Sequence, residues 1–188
     1  IHLATGDGEI RFEATDGMQH LSLAADAEVV WLSAEQSNSS LIVDGTVMLK
    51  LFRRLADGQH PEAEMGRYLT EQGFAHTAPL LGEVVRVDSQ GRRFSLAIAQ
   101  GFLRNQGDAW TWTLDQLSRG VDDLAAQNEA APSDDEYFAT YGDFAATMGR
   151  RLGEMHLVLA RPSDDPAFAP VRATKADAHA WAQGIQTM

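Results

Sequence analysis

The sequence contains no cysteine, so disulfide bonds and thiolate-liganded zinc sites are excluded. Basic residues are few: 15 lysines and arginines stand against 27 aspartates and glutamates, which gives a formal net charge of −12. That balance argues against nonspecific binding to nucleic acid, which requires a basic surface. No apolar run approaches the roughly 18–20 residues of a membrane span, and no signal-peptide pattern opens the sequence. We therefore expect a cytoplasmic protein that binds neither nucleic acid nor a membrane.

What is present is the composition of an ordinary globular protein, with 44% apolar and 22% charged residues in a chain of 188. That length suffices for one sizeable core or for two small lobes. The first residue is isoleucine rather than methionine, from which we expect a fragment or a domain of a longer chain.

The first half of the sequence shows the period-two alternation of β-strands. Residues 1–33 alternate apolar and polar positions around a hairpin turn at Asp16-Gly17, and we interpret them as a β cap. Asp44-Gly45 lies between two apolar runs and predicts a hairpin, because glycine accepts positive φ angles. The other strands are predicted at 41–43, 46–52, 83–87 and 93–100.

Helical patterns begin after these strands, with one helix inserted between them. Pro61 suits the first turn of that inserted helix, and Gly73 is a natural residue just after its end. Ser133 and Glu136 match a capping box before a long amphipathic helix. The helices of the second half are predicted at 108–127, 133–159 and 173–187. Strands followed by helices predict an α+β fold with two lobes. The predicted divisions are a β cap at 1–33, a sheet lobe at 34–103 and a helical lobe at 104–188.

Lys50 is the residue with the clearest chemical implication, because the alternation places it between two apolar neighbours on its own face of a strand. Burying an ammonium group without a partner is costly, so a carboxylate or a phosphate should meet it. Glu62 and Glu64 on the inserted helix are candidates, although both also suit a helix N-terminus. Taken alone, Lys50 is an ordinary edge-strand lysine. The serine-rich segment at 37–40 and the acidic helix favour a phosphate-binding device instead.

Several segments together resemble the maltokinases, bacterial kinases with an aminoglycoside-phosphotransferase-like, protein-kinase-like fold that are often fused to a trehalose synthase. The resemblance spans about 35–160 and rests on residues 35–40, 47–55, 60–74, 79–84, 97–117 and 152–160. It implies a kinase-like N-lobe, preceded by the β cap, and the first helices of a C-lobe. The implied reaction transfers the γ-phosphate of ATP, with Mg²⁺, to maltose. Its product, maltose 1-phosphate, feeds α-glucan (glycogen) synthesis.

The same resemblance implies which residues contact the nucleotide. A serine-rich loop would cradle the phosphates, Lys50 would contact the α- and β-phosphates, and Glu64 would hold Lys50, with Glu62 as the alternative. A hinge would hydrogen-bond adenine, and Asp108 would lie near the edge of the nucleotide. The loop residues are Ser37, Asn38, Ser39 and Ser40, and the hinge residues are Gln100, Gly101, Phe102 and Leu103.

The catalytic motifs that the resemblance would require do not occur in the 188 residues. Neither a His-Gly-Asp-type loop nor an Asp-Phe-Glu-type strand is present, and the triplet 143–145 lies inside the long predicted helix. We therefore expect an inactive fragment that ends before the catalytic loop and carries neither catalytic residues nor metal ligands. The alternatives are a piece of another small-molecule phosphotransferase of this superfamily, or a non-catalytic interaction module. These residues do not identify the molecule that accepts the phosphate.

Overall fold

The computed structural model describes residues 1–32, 38–125 and 138–186, and the chain divides into two compact units, Ile1–Gly142 and Asp143–Met188. The strands are β1 (His2–Thr5), β2 (Gly8–Ala14), β3 (Val29–Leu32), β4 (Asn38–Val43), β5 (Val47–Phe52), β6 (Leu80–Asp88) and β7 (Arg93–Gly101). The helices are α1 (Pro61–Glu71), α2 (Ala109–Ala125), α3 (Ala139–Leu159) and α4 (Lys175–Gln186).

All seven strands form one antiparallel sheet in the order β1-β2-β6-β7-β5-β4-β3. β2 pairs along its whole length with β6, from Gly8 opposite Asp88 to Ala14 opposite Gly82. β3 pairs with β4 at the other end of the sheet. β1 and β3, which both lie within the first 32 residues, therefore form the two edges of the sheet, whereas the sequence predicted a cap over 1–33 that rests against it.

Two turns use the left-handed backbone region that the sequence anticipated. Asp44 and Gly45, between β4 and β5, have φ angles of 51° and 60°, as the predicted hairpin requires. Gly91 has a φ of 78° in the turn between β6 and β7. There the Asp88 carboxylate accepts a hydrogen bond from the backbone N–H of Gln90, at 2.9 Å. The second strands of these two hairpins, β5 and β7, pair with each other in the sheet.

The turn predicted at Asp16-Gly17 is not a hairpin turn, because Asp16–His20 forms a short 3-10 helix. Just before it, the Thr15 hydroxyl donates to the backbone oxygens of Leu80 and Leu81, at 2.6 and 3.0 Å. β2 pairs with β6, which is distant in sequence, rather than with the strand that follows it. The chain therefore leaves the sheet after Thr15 instead of folding straight back.

Helix α1 lies on one face of the sheet and supplies much of the core. It begins at Pro61, with His60 as its N-cap. Its end is a Schellman motif, in which Phe74 N–H donates to the Leu69 carbonyl at 2.9 Å and Gly73 has a φ of 70°. The buried core cluster joins it to the sheet through Phe52, Ala63, Leu80 and Ile98.

Helix α2 starts where the sequence predicted a helix and makes two aromatic contacts within the first unit. Gly120 faces Phe138, and a Cβ atom at this glycine would lie 2.5 Å from the Phe138 ring. Only glycine fits this close approach without a shift of the ring. The rings of Trp112 and Tyr141 stack with centroids 6.3 Å apart. These contacts explain three of the aromatic residues in this part of the sequence.

The second unit contains most of α3 and all of α4. The capping box predicted at Ser133 and Glu136 lies outside the described residues. α4 occupies Lys175–Gln186, close to the predicted 173–187. Among the helices that the structure describes, none is long and apolar enough to cross a membrane.

Candidate functional site

The half-buried lysine of β5 meets a carboxylate, as the sequence predicted. Lys50 Nζ donates to Glu62 Oε1 at 2.9 Å, and the Lys50 side chain is only 17% exposed. Glu62 lies in the first turn of α1, so the pair joins the sheet to the helix. An ammonium group this far from solvent requires such a partner. The pair presents a fixed cation on the face of the sheet that α1 covers.

The partner of Lys50 is Glu62 and not Glu64, so the preferred pairing from the sequence is wrong. Two residues separated by two positions point about 200° apart around a helix, because each residue turns the chain by about 100°. The two glutamates therefore cannot both face β5. The N-terminal position of Glu62, next to the cap, turns its side chain toward Lys50.

The serine-rich segment is a strand where the structure describes it. Asn38, Ser39 and Ser40 belong to β4, while Ser37 lies outside the described residues. Ser40 is directly opposite Lys50 in the β4–β5 ladder and is buried. These three residues therefore belong to a strand where a loop was expected, and their contact with the phosphates stays a prediction. Ser40 nevertheless lies on the same sheet face as the Lys50–Glu62 pair.

The predicted hinge occupies the end of β7. Gly101 N–H donates to the Pro79 carbonyl at 2.9 Å, and Phe102 N–H donates to the Thr46 carbonyl at 2.7 Å. A Cβ atom at Gly101 would lie 3.0 Å from the Pro79 ring, so glycine allows this close packing. Gln100 precedes these residues on the strand, and Leu103 follows them with an exposed side chain. The residues just before β6 and β5 therefore use two of the hinge N–H groups.

Asp108 caps helix α2. Its two carboxylate oxygens accept from the backbone N–H and the hydroxyl of Thr111, both at 2.8 Å. These hydrogen bonds lower the pKa of Asp108 below its usual value, because they favour the charged form. The capping contact accounts for an aspartate at this position, and a contact with the nucleotide stays a prediction.

A buried ionic network on β6 and β7 was missed by sequence reasoning. The Glu83 side chain has no solvent exposure, and its oxygens accept from Ser95 Oγ at 2.6 Å and from Arg93 Nη2 at 2.8 Å. Arg93 also forms a two-pronged contact with Glu13, at 2.8 and 2.9 Å. This contact lowers the pKa of Glu13. A carboxylate inside the apolar run of β6 was the signal that could have found the network.

Comparison with known proteins places the fold among kinases. No family model matches the sequence. A glucosamine kinase solved in complex with glucosamine, ADP and inorganic phosphate superposes with a TM-score of 0.62 at 22% identity, over 95% of this chain and 37% of that one. Another crystal form of glucosamine kinase gives a TM-score of 0.60 at 22% identity, over 98% and 39% of the two chains. The fold is kinase-like.

This likeness confirms the predicted α+β architecture with a kinase-like N-lobe, and at 22% identity it shows the fold alone. The chain spans less than two-fifths of the length of the solved kinases that it matches. Across residues 1–32, 38–125 and 138–186, no group of three histidine, aspartate or glutamate side chains could hold a metal ion.

Proposed function

We propose that this chain is the nucleotide-binding part of an ATP-dependent sugar kinase. The Lys50–Glu62 pair carries the proposal, because it sets a poorly exposed ammonium group beside an acidic helix on a kinase-like sheet. Kinases use a lysine held in this way to contact the phosphates of ATP. Glu62 fixes the position of the Lys50 ammonium, so that the cation is in place before the nucleotide arrives.

The other nucleotide contacts are proposed from strand pairing and from the maltokinase resemblance. Ser40, opposite Lys50 in the ladder, is the serine best placed to approach a phosphate. Gln100–Leu103 would line the adenine edge and Asp108 the outer side of the nucleotide, as the maltokinase resemblance implies. We propose that these residues hold ATP without transferring its phosphate.

Maltose is the acceptor that we favour, because the resemblance to the maltokinases rests on six ordered segments of the sequence. The same resemblance implies trehalose synthase as a fused or associated partner, and a location in the cytoplasm. The product would be maltose 1-phosphate. A second candidate acceptor is an amino sugar, since the solved kinase with this fold was crystallised with glucosamine. A third reading, a binding module without chemistry, is favoured by the absence of the catalytic motifs from the 188 residues.

Nucleotide binding is tested by calorimetric titration of ATP with magnesium into the 188-residue chain and into Lys50→Ala. A lost charged hydrogen bond of about 1.5–3 kcal/mol corresponds to a loss of affinity of roughly 10-fold to 150-fold. Lys175, the other lysine of the chain, is exposed on α4, so Lys175→Ala is a matched control that should bind as the parent does. Unchanged binding by Lys50→Ala would overturn the proposed site.

The acceptor is tested on a polypeptide that includes the catalytic loop, with maltose, glucosamine and glucose as substrates. Phosphorylation of maltose is the expected result. Phosphorylation of glucosamine in its place would favour the second candidate, and phosphorylation of none of them would favour the binding module.

A further inference from the structure

His60 contacts the two elements that carry the Lys50–Glu62 pair and is tied to a third. It is the N-cap of α1, it stacks against β5, and its backbone is bonded to β7. Among the residues that the structure describes, no other residue beside the ion pair makes all three of these contacts. Together these contacts fix the position of His60 beside the Lys50–Glu62 pair.

The imidazole ring holds the backbone of Glu62. Glu62 N–H donates to His60 Nδ1 at 3.3 Å, so that this ring nitrogen acts as an acceptor and carries no proton. The proton of the neutral ring is therefore on Nε2. A side chain that accepts from a free N–H in the first turn fixes where the helix starts, and with it the direction of the Glu62 side chain.

The same ring is packed against the strand that carries Lys50. The rings of His60 and Phe52 are nearly parallel, at 17°, with centroids 3.8 Å apart. Phe52 is buried and lies two residues after Lys50, on the same face of β5. The acceptor nitrogen of His60 is thus held at a fixed distance from the strand whose lysine Glu62 must reach.

The backbone of His60 is attached to the buried ionic network. His60 N–H donates to Ser95 Oγ at 3.2 Å, and Ser95 Oγ donates to Glu83 Oε1 at 2.6 Å. Glu83 in turn accepts from Arg93 at 2.8 Å. A chain of hydrogen bonds therefore runs from fully buried residues of β6 and β7 to the residue that caps α1.

We propose that His60 is a positioning residue, which aims Glu62 at Lys50 by capping α1 from a ring fixed on β5. It acts through Glu62 and touches no nucleotide. An ordinary N-cap would only stabilise its helix, whereas this one also sets the distance between helix and strand. The effect on nucleotide affinity rests on the proposed function, and the effect on the ring proton does not.

Two variants separate the cap from the stack. His60→Asn keeps a side-chain acceptor in one of the best N-cap residues and loses the aromatic contact, whereas His60→Phe keeps the ring and loses the acceptor. We expect His60→Phe to weaken ATP binding about tenfold because the acceptor is lost, and His60→Asn to weaken it less but measurably because the cap is kept and the contact with β5 is lost. Binding of His60→Phe at the parent affinity would overturn the proposal, provided that thermal unfolding shows both variants folded.

A double variant tests whether His60 acts through Glu62. In a chain that already carries Glu62→Gln, the change His60→Phe should cost less than about twofold in ATP affinity, since the contact that it positions is gone. An equal loss in both backgrounds would show that His60 acts on stability alone, and would overturn the positioning role.

The proton of His60 is measured without nucleotide, by long-range ¹H–¹⁵N NMR of the histidine rings. We expect the His60 ring to be protonated on Nε2 and unprotonated on Nδ1, with the assignment made from the missing signal in His60→Asn. A proton on Nδ1 would overturn the inference whether or not the chain binds ATP. If the parent chain shows the expected ring but does not bind ATP, the proposed function fails and the structural part of the inference stands.

Discussion

The sheet with α1 and the helices after residue 108 differ sharply in how they bury apolar side chains. Leu80, Val85 and Ile98 in the sheet have no solvent exposure. Across the described residues of α2, α3 and α4, the buried positions are Gly120 and Val158. The large apolar side chains of these helices include exposed residues such as Leu114, Val121, Leu152, Leu157, Trp181 and Ile185.

The difference shows what sets the geometry of the proposed site. Lys50 and Glu62 lie on two elements that are joined by a close-packed core, so their positions are fixed by many contacts. The helices have the amphipathic pattern of elements that pack against others, yet few of the described residues cover their apolar faces. Substitutions should therefore act strongly in the sheet and weakly on the helices.

The largest effect is expected from Leu80→Ala. Leu80 has no solvent exposure and packs under α1, so the truncation removes buried apolar surface and leaves a cavity. We expect a loss of about 3–5 kcal/mol in the free energy of unfolding, measured by urea titration and circular dichroism. The matched control is Leu157→Ala on α3, where the side chain is 73% exposed and the loss should stay below about 0.5 kcal/mol. Equal losses at the two sites would remove the contrast between the regions.

The next effect is expected from Glu83→Gln. The change leaves Arg93 with Glu13 as its acidic partner and Ser95 facing a neutral side chain, and the loss of a charged hydrogen bond costs about 1.5–3 kcal/mol. The same urea titration measures the loss. Glu9→Gln, at the more accessible pair with Arg11, is the control and should change stability far less. A Glu83→Gln chain as stable as the parent would show that the network is not important for the fold.

A smaller effect is expected from pH through Glu13. Hydrogen bonding to Arg93 lowers the pKa of Glu13 in the folded chain, so the unfolded chain takes up the proton first as pH falls. The stabilisation is complete above the ordinary glutamate pKa and is lost as pH falls through the lowered folded value. Solvent screening keeps it below about 1 kcal/mol.

The Glu13 contribution is isolated by comparing urea titrations of the parent and Glu13→Gln between neutral pH and the acid range. The variant should lose less stability on acidification than the parent does. Parallel curves for the two chains would contradict the assigned contact.

The sequence predicted the features that depend on local pattern. The turn at Asp44-Gly45, the start of α1 at Pro61 and the carboxylate at Lys50 all follow from backbone geometry or from the cost of a buried charge. The serine-rich segment was assigned to a loop because serine and asparagine are common in turns. The strand pairing of Asn38 with Phe52 and of Ser40 with Lys50 outweighed that preference.

Features that depend on contacts made only in the folded chain could not be predicted from the local sequence pattern. The choice of Glu62 over Glu64 depends on the cap at His60, and two acids in the first turn of a helix look alike in sequence. Glu13 and Arg93 are 80 residues apart, and they meet only because β6 pairs with β7 and β2 pairs with β6. The same pairing turned a predicted cap into part of the sheet.

The most direct test of the central claim compares two glutamates of one helix turn by calorimetric titration with ATP and magnesium. Glu62→Gln removes the partner of Lys50, whereas Glu64→Gln removes the same charge from the same turn without touching the pair. The structure predicts that Glu62→Gln weakens binding about tenfold and that Glu64→Gln leaves it unchanged. Equal losses in the two variants, a larger loss in Glu64→Gln, or no binding by the parent chain would contradict the account.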